Sequence, residues 1–355
     1  MNLLAPEIQR IVKILLLAMV ATPPVQGQEW QIREDLRGLW KFQLGDDVKW
    51  ADAKYDDTGW DNLVVPSAWE DEGFPGYDGY AWYRRHFSIS PDFRNKQLYI
   101  HLGVIDDVDE VYINGRFVGF EGSFPPHYIT AYSAQRIYQL PGEYLNYAGD
   151  NVVAVRVYDN ELSGGMISGK PGLYEMKNYL YPDQSLTGKW KFKAGDDMSW
   201  KDEGVRDVDW KDVQVPAYWE TQGMKGYDGY GWYRRSVRIP TTLSDETLIL
   251  MLGRIDDLDE TYFNGERIGR TGRMNDRPEQ TRVSDEYLAI RAYTIPMGLI
   301  KFGQDNTIAV RVFDGFLHGG IYEGPIGVVT RSHYLAWQRT QEKTKGWNIF
   351  DLFWK

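Results

Sequence analysis

Gly76-Tyr-Asp-Gly-Tyr-Ala-Trp-Tyr-Arg-Arg85 and Gly226-Tyr-Asp-Gly-Tyr-Gly-Trp-Tyr-Arg-Arg235 lie 150 residues apart and differ at one position. Downstream of the first, Tyr83, Arg85, Phe87 and Ile89 alternate with their neighbours, the period of a β-strand with unlike faces. Arg85 then falls on the apolar face and calls for a buried acidic partner. The offset of 150 also holds at Trp50/Trp200, Trp60/Trp210, Pro66/Pro216 and Asn114-Gly115/Asn264-Gly265; from 40 to 119, 37 of 80 residues are identical. Five residues are then gained, and Asn151/Asn306, Asp159/Asp314 and Gly164-Gly165/Gly319-Gly320 match at offset 155. A period this long means tandem domains, since solenoid repeats run roughly 20–50 residues.

Each copy reads as antiparallel β. Val153, Val155 and Val157 alternate with Ala154, Arg156 and Tyr158, and Ile308, Val310 and Val312 repeat the pattern. Val111-Tyr-Ile-Asn-Gly-Arg-Phe-Val118 reads as a hairpin, because Asn-Gly supplies the positive φ angles of a tight turn. No amphipathic helix stands out in either copy. The expected fold is all-β, two tandem β-sandwiches over 28–182 and 183–335. Residues 1–27 read as a secretory signal: Arg10 and Lys13 precede the apolar run Ile14–Ala21, and Gly27 offers the cut. That run is far shorter than the ~20 residues of a spanning helix. The mature chain is expected in a bacterial periplasm or outside the cell. The tail, 336–355, carries Trp347, Phe350, Phe353 and Trp354; docking on this chain is the plainer expectation, docking on a partner the other.

Composition narrows the function. The 355 residues carry 51 acidic and 40 basic side chains, a net charge of −11. That balance argues against nucleic acid and anionic membranes, which need clustered Lys and Arg. Zero cysteines exclude disulfides, thiol catalysis and Cys-zinc sites. The aromatic fraction of 15% suits either a sandwich core or a stacking surface for sugars.

The ordered motifs Pro66-Ser-Ala-Trp69-Glu70, Gly76–Arg85, Leu102-Gly-Val-Ile-Asp-Asp107, Val111–Gly115 and Asn151–Val157 occur in both copies. They resemble the galactose-binding-like jelly roll that opens family 2 glycoside hydrolases such as β-galactosidases. Gly164-Gly-Met-Ile-Ser-Gly-Lys-Pro171 and Gly319-Gly-Ile-Tyr-Glu-Gly-Pro325 are also similar to the ending of the domain embedded in bacterial sialate O-acetylesterases. The resemblance implies a jelly-roll fold and a sugar-related role. It implies no catalysis: the hydrolases carry their carboxylates on a separate barrel of roughly 250 residues. The esterases use a Gly-Asp-Ser motif, whereas Gly45 and Gly195 are each followed by Asp-Asp.

Three groups are candidates for chemistry. Tyr77, Asp78, Tyr80, Trp82 and Arg84, with Tyr227, Asp228, Tyr230, Trp232 and Arg234, offer flat aromatics beside hydrogen-bonding groups, as a sugar site needs. The alternative is that glycines shape a turn and the aromatics fill the core, the reading taken for Trp40, Trp50, Trp60 and their twins. The loops at 159–170 and 314–323 form a second surface, where His318, Tyr322 and Glu323 replace Ser163, Ile167 and Ser168. Asp106, Asp107 and Asp109, with Asp256, Asp257 and Asp259, are the densest carboxylates. Ion pairing is the plainest role, calcium ligation the second, an acid/base pair the third. Gly164-x4-Gly169-Lys170 imitates a phosphate loop, but Pro171 stands at the Ser/Thr position. The histidines show no metal-ligand spacing. The expected function is an exported, non-catalytic tandem that binds carbohydrate through two sites acting by avidity. The alternatives are a subunit of a separate glycoside hydrolase or esterase, and a glycosidase built on a cross-domain carboxylate pair.

Overall fold

A computed structural model describes residues 30–275, 281 and 283–344. The signal segment and the tail aromatics from Trp347 onward lie outside the described residues. The first copy comprises β1 (Trp30–Asp35), β2 (Gly38–Leu44), β3 (Asp61–Val65), β4 (Gly79–Phe87), β5 (Leu98–Asp106), β6 (Val108–Ile113), β7 (Arg116–Glu121), β8 (Gln135–Leu140), β9 (Asn151–Asp159), β10 (Gly165–Ser168) and β11 (Gly172–Met176). The second comprises β12 (Gln184–Ser185), β13 (Gly188–Ala194), β14 (Lys211–Val215), β15 (Gly229–Arg238), β16 (Leu248–Asp256), β17 (Leu258–Phe263), β18 (Glu266–Thr271), β19 (Ile290–Ile295), β20 (Asp305–Asp314) and β21 (Gly320–Thr330).

Both copies build the same sandwich. A six-stranded sheet runs β3-β2-β4-β9-β6-β7, and its twin runs β14-β13-β15-β20-β17-β18. The facing sheets are β1-β11-β5-β10, with β8 also on β5, and β12-β21-β16-β19. Val153, Val155 and Val157 point into the core with Trp40, Phe42 and Tyr83, and meet Leu98, Ile100 and Leu173 from the facing sheet. The second copy buries Ile308, Val310 and Val312 in the same way. Asn114 and Gly115 take φ 51° and 79°, so the hairpin between β6 and β7 turns where the Asn-Gly step demanded.

The outer face of each six-stranded sheet is also covered. The loop between β2 and β3 folds back and places Trp60 and Ala51 over Trp82 and Ala154. Trp210 covers Trp232 and Ala309 alike. This second apolar layer decides the fate of several candidate residues below.

Among the described residues, one α-helix departs from the all-β expectation. α1 (Arg331–Thr344) follows β21 directly and starts before the predicted tail. Tyr334 and Trp337, one turn apart, pack on Leu180, Ile249, Met251 and Val329. Trp337 Nε1 donates to the Asn178 carbonyl at 2.8 Å. The described part of the tail thus docks on its own chain. No helix among the described residues is long and apolar enough to cross a membrane.

Candidate functional site

The Gly-Tyr-Asp-Gly-Tyr loops begin β4 and β15, and four of their ten candidates are buried fasteners. Trp82 and Trp232 are 0% exposed. Their Nε1 groups donate to Asp46 at 3.1 Å and Asp196 at 3.0 Å. Neither ring offers a face to a ligand. Arg84 is also 0% exposed. Its guanidinium donates to Asp57 at 2.7 Å and to the Asp52 carbonyl at 3.0 Å, clamping the covering loop to the sheet. Arg234 does the same with Asp207 at 3.0 Å. These four residues are therefore corrected from sugar contacts to buried fasteners: the loop that covers the sheet takes the surface they would have used. Arg85 is corrected too. It reaches out to the Leu39 carbonyl, and the buried ion pair expected of it belongs to Arg84.

The remaining loop residues range from buried to exposed. Tyr77 Oη donates to the Tyr80 carbonyl at 2.8 Å, and Tyr227 Oη to Tyr230 at 2.6 Å, so both rings brace the turn. Tyr80 stacks on Phe124 at 5.8 Å with Arg156 4.9 Å over its ring. Tyr230 is buried and donates to the Asn275 carbonyl at 2.9 Å. Asp78 and Asp228 are exposed.

The carboxylate cluster is regrouped by the fold. Asp109 and Asp259 point inward, each fully buried. Asp109 accepts from Arg136 Nε at 2.6 Å and Tyr138 Oη at 2.9 Å. Asp259 accepts from Arg291 Nε at 3.0 Å and from Tyr293. Ion pairing, the plainest reading, holds for these two, and they are corrected out of the calcium set. Their places are taken by Asp159 and Asp314, which end β9 and β20. Because Val108 pairs with Tyr158, the end of β9 lies beside the start of β6. Carboxylate oxygens of Asp106, Asp107 and Asp159 lie within 4.8 Å of one another, as do those of Asp256, Asp257 and Asp314. Asp159 is 0% exposed, and neither of its oxygens has a hydrogen-bond partner. Burial, then the charges of Asp107 and Asp106, push Asp159 up to about 7. Burial pushes Asp314 up to about 8. Asp106 is raised by burial and by its contact with Asp107; Asp107, despite burial, is held low by hydrogen bonds from Thr130 and the Asn160 amide. The matched pair Asp159/Asp314 at offset 155 was the signal for this arrangement.

A broad concavity lies between the copies. A cleft of about 1050 Å³ is lined by Trp30, Tyr99, Tyr138 and Tyr144 of the first copy and Tyr218, Arg254, Tyr322 and Glu323 of the second. Tyr218 and Tyr322 stack at 5.0 Å with their planes 6° apart. Tyr322 Oη donates to the Tyr287 carbonyl at 2.9 Å, which fixes the ring. Glu323 is paired with Arg254 and accepts from Tyr99 Oη at 3.4 Å. Of the loop candidates, Tyr322 and Glu323 thus converge on one site. His318 does not; it is wedged against Phe120 at 4.3 Å and its Nε2 meets the Phe120 carbonyl at 3.1 Å. Tyr218 follows Pro216 in the second copy, where the first has Ala68. Nothing in a single sequence marked it, since its role comes from the docking of the copies.

A second cavity of about 440 Å³ lies nearby, also between the copies. It carries Glu110 from one and Glu220 and Asp228 from the other. Glu110 is bound by Lys225 at 2.6 Å and Arg156 at 3.1 Å, which hold it low against the effect of burial. Glu220 accepts from the Gly319 amide at 3.3 Å through one oxygen, the other is unpartnered, and burial pushes it up to about 7. Glu110 and Glu220 thus line one cavity from opposite copies, and the charge of Glu110 is met by two cations.

Residues 45–163 match the family described as the β-galactosidase second all-β domain. A β-galactosidase of Bacteroides ovatus is 30% identical over 156 residues, which is 40% of this chain and 17% of that protein. A β-galactosidase of Thermoanaerobacter pseudethanolicus is 28% identical over 139 residues, 37% of this chain and 16% of that protein. A solved β-glucuronidase of Bacteroides uniformis aligns with 83% of this chain and 28% of its own, at 16% identity and a TM-score of 0.36. The chain thus resembles the sandwich domains of family 2 glycoside hydrolases and aligns with about a sixth of the length of these curated relatives. The esterase likeness rests on the sequence motifs.

Proposed function

We propose that the chain is a carbohydrate-binding protein whose sugar site is the cleft between its two sandwiches. The stacked pair Tyr218 and Tyr322 carries this reading. A saccharide ring has an apolar C–H face and a rim of hydroxyls, so it is recognised by fixed aromatic faces beside a few charged hydrogen-bonding groups. Trp30 and the tyrosine pair supply the faces, and Arg254 with Glu323 supplies the donors and acceptors. The cleft volume of about 1050 Å³ is ample for a saccharide. The resemblance to domains of β-galactosidases supports a role in polysaccharide or glycoconjugate breakdown, and the amino-terminal signal pattern supports export to a bacterial periplasm or beyond.

The reading differs from two sites acting by avidity. Each copy contributes one wall, so one site per chain is proposed. No catalytic step is assigned. Of the carboxylates lining the second cavity, Glu110 is satisfied by Lys225 and Arg156.

The test is affinity electrophoresis of the chain against a panel of polysaccharides, with release of reducing sugar followed in parallel. Retardation on one glycan class, lost in Tyr322→Ala and in Tyr218→Ala, is expected. Retardation that survives both substitutions would move the site elsewhere. Release of sugar would overturn the non-catalytic assignment.

A further inference from the structure

Each copy carries a group of three aspartates that the sugar cleft does not use. We infer that Asp106, Asp107 and Asp159 form a calcium site at the loop end of the first sandwich, where β5, β6 and β9 come together. Three observations carry this.

The first is geometry. Oxygens from the three carboxylates lie within 4.8 Å of one another, the span across a shell of oxygens 2.3–2.6 Å from a single ion. The second is the state of Asp159. It is 0% exposed, it faces the other two, and both its oxygens lack a hydrogen-bond partner. A buried carboxylate normally has its lone pairs satisfied by donors or by a metal. The neighbouring cation cannot do this. Arg136 spends its guanidinium on Asp109 at 2.6 Å, on the Ala131 and Ala134 carbonyls at 2.7 and 2.6 Å, and on the Asp107 carbonyl at 2.9 Å. The third is repetition. The second copy, with its own sequence around them, brings Asp256, Asp257 and Asp314 together in the same way.

The donors choose the ion. All are hard carboxylate oxygens with neither sulfur nor imidazole, which suits calcium and disfavours zinc and copper. Asp107 is held in place by Thr130 Oγ1 at 2.5 Å and by the Asn160 amide at 3.1 Å, so one ligand is oriented in advance. Asp106 is half-buried, so one ligand of the three keeps contact with solvent. Magnesium, which demands a tighter octahedron and keeps its own waters, binds more weakly at such a site.

The proposal stands apart from the sugar reading, and the experiment uses no sugar. The full chain, stripped with a chelator, is titrated calorimetrically with calcium chloride alone, and thermal unfolding is followed with and without the ion. Calcium is expected to bind with a dissociation constant on the order of 10⁻⁴ M or lower and to raise the unfolding temperature. In Asp159→Asn the number of bound ions falls by one while the far-ultraviolet circular dichroism stays unchanged. If that variant does not fold, Asp106→Asn, altered at a half-buried position, answers instead with at least a tenfold loss of affinity at one site. Absence of calcium binding to the parent chain, or an unchanged ion count and affinity in the variant, would overturn the site and leave carboxylates that share protons.

Discussion

Asp109 accepts from Arg136 through one oxygen and from Tyr138 through the other, with nothing of it exposed to solvent. Removing one partner of such a pair strands the other charge, which costs roughly 3–5 kcal/mol. Asp109→Asn is therefore expected to lower stability by about that much in urea denaturation; a loss under ~1 kcal/mol would show that the pair is not buried as described. Glu220 gives the opposite kind of prediction. Burial raises its carboxyl to about 7 from an ordinary value of 4.5, so the folded chain holds a proton that the unfolded chain releases. Its contribution is complete below pH 4.5 and is lost as pH rises through about 7. Glu220→Gln should remove roughly 1–3 kcal/mol of the stability lost between pH 5 and pH 8, the amount a shift of this size carries. Equal slopes for the two proteins would refute the raised value. At this scale the sequence was only half legible. It marked Asp106 and Asp107, which the fold sets beside Asp159, and it offered Trp82 and Arg84 as sugar contacts when they are buried. The aromatic and charged residue types of a sugar site are also those of a clamped loop, and only the fold-back of the chain between β2 and β3 separates the two.

The strands show what alternation and turn chemistry can and cannot reveal. Val153 to Val157 and the Asn114-Gly115 hairpin were readable because each depends on neighbours in sequence. The register break in β5 was not. The pairing of β5 with β8 slips between His101 and Gly103, and Gly103 takes φ +77° there. A Cβ at Gly103 would sit 1.9 Å from the Ser168 carbonyl oxygen, an atom of the backbone that cannot swing aside. The twin, Gly253, has φ +59° and would meet the Glu323 carbonyl oxygen at 1.8 Å. Gly103→Ala combines left-handed strain with overpacking and should cost about 3–5 kcal/mol. Gly38 is the internal control. Its φ is +109°, yet a Cβ there meets nothing within 4 Å, so Gly38→Ala should cost about 1–2 kcal/mol, from backbone strain alone. Equal losses in the two variants, measured by thermal unfolding, would mean that φ alone and not the close approach sets the cost. The helix α1 was missed because its docking residues, Tyr334 and Trp337, straddle the boundary assigned to the second copy, and their partner surface, around Leu180 and Met251, lies far away in sequence.

The repeat showed two sandwiches, but it said nothing of how they meet, and the proposed sugar site is made by that meeting. Lys225 reaches Glu110 at 2.6 Å, and Gln139 accepts from the Gly324 amide at 2.8 Å. These polar contacts hold Tyr322 and Glu323 of one copy opposite Trp30 and Tyr99 of the other. Divergence between the copies fits this asymmetry, because each supplies a different wall. It also sets how binding should be seen by fluorescence. The tryptophans Trp69, Trp82, Trp219 and Trp232 are fully buried, while Trp30 lines the cleft. A saccharide in the cleft should change the emission of Trp30 and leave the buried rings unmoved. Trp30→Phe keeps an aromatic face, so it should abolish most of the ligand-dependent change while affinity, read by retardation in a glycan gel, falls less than about tenfold. A fluorescence change that persists in Trp30→Phe would place the ligand beside another tryptophan and sink the cleft assignment. A change lost together with all retardation would give Trp30 the larger share of the contact and the tyrosine pair the smaller.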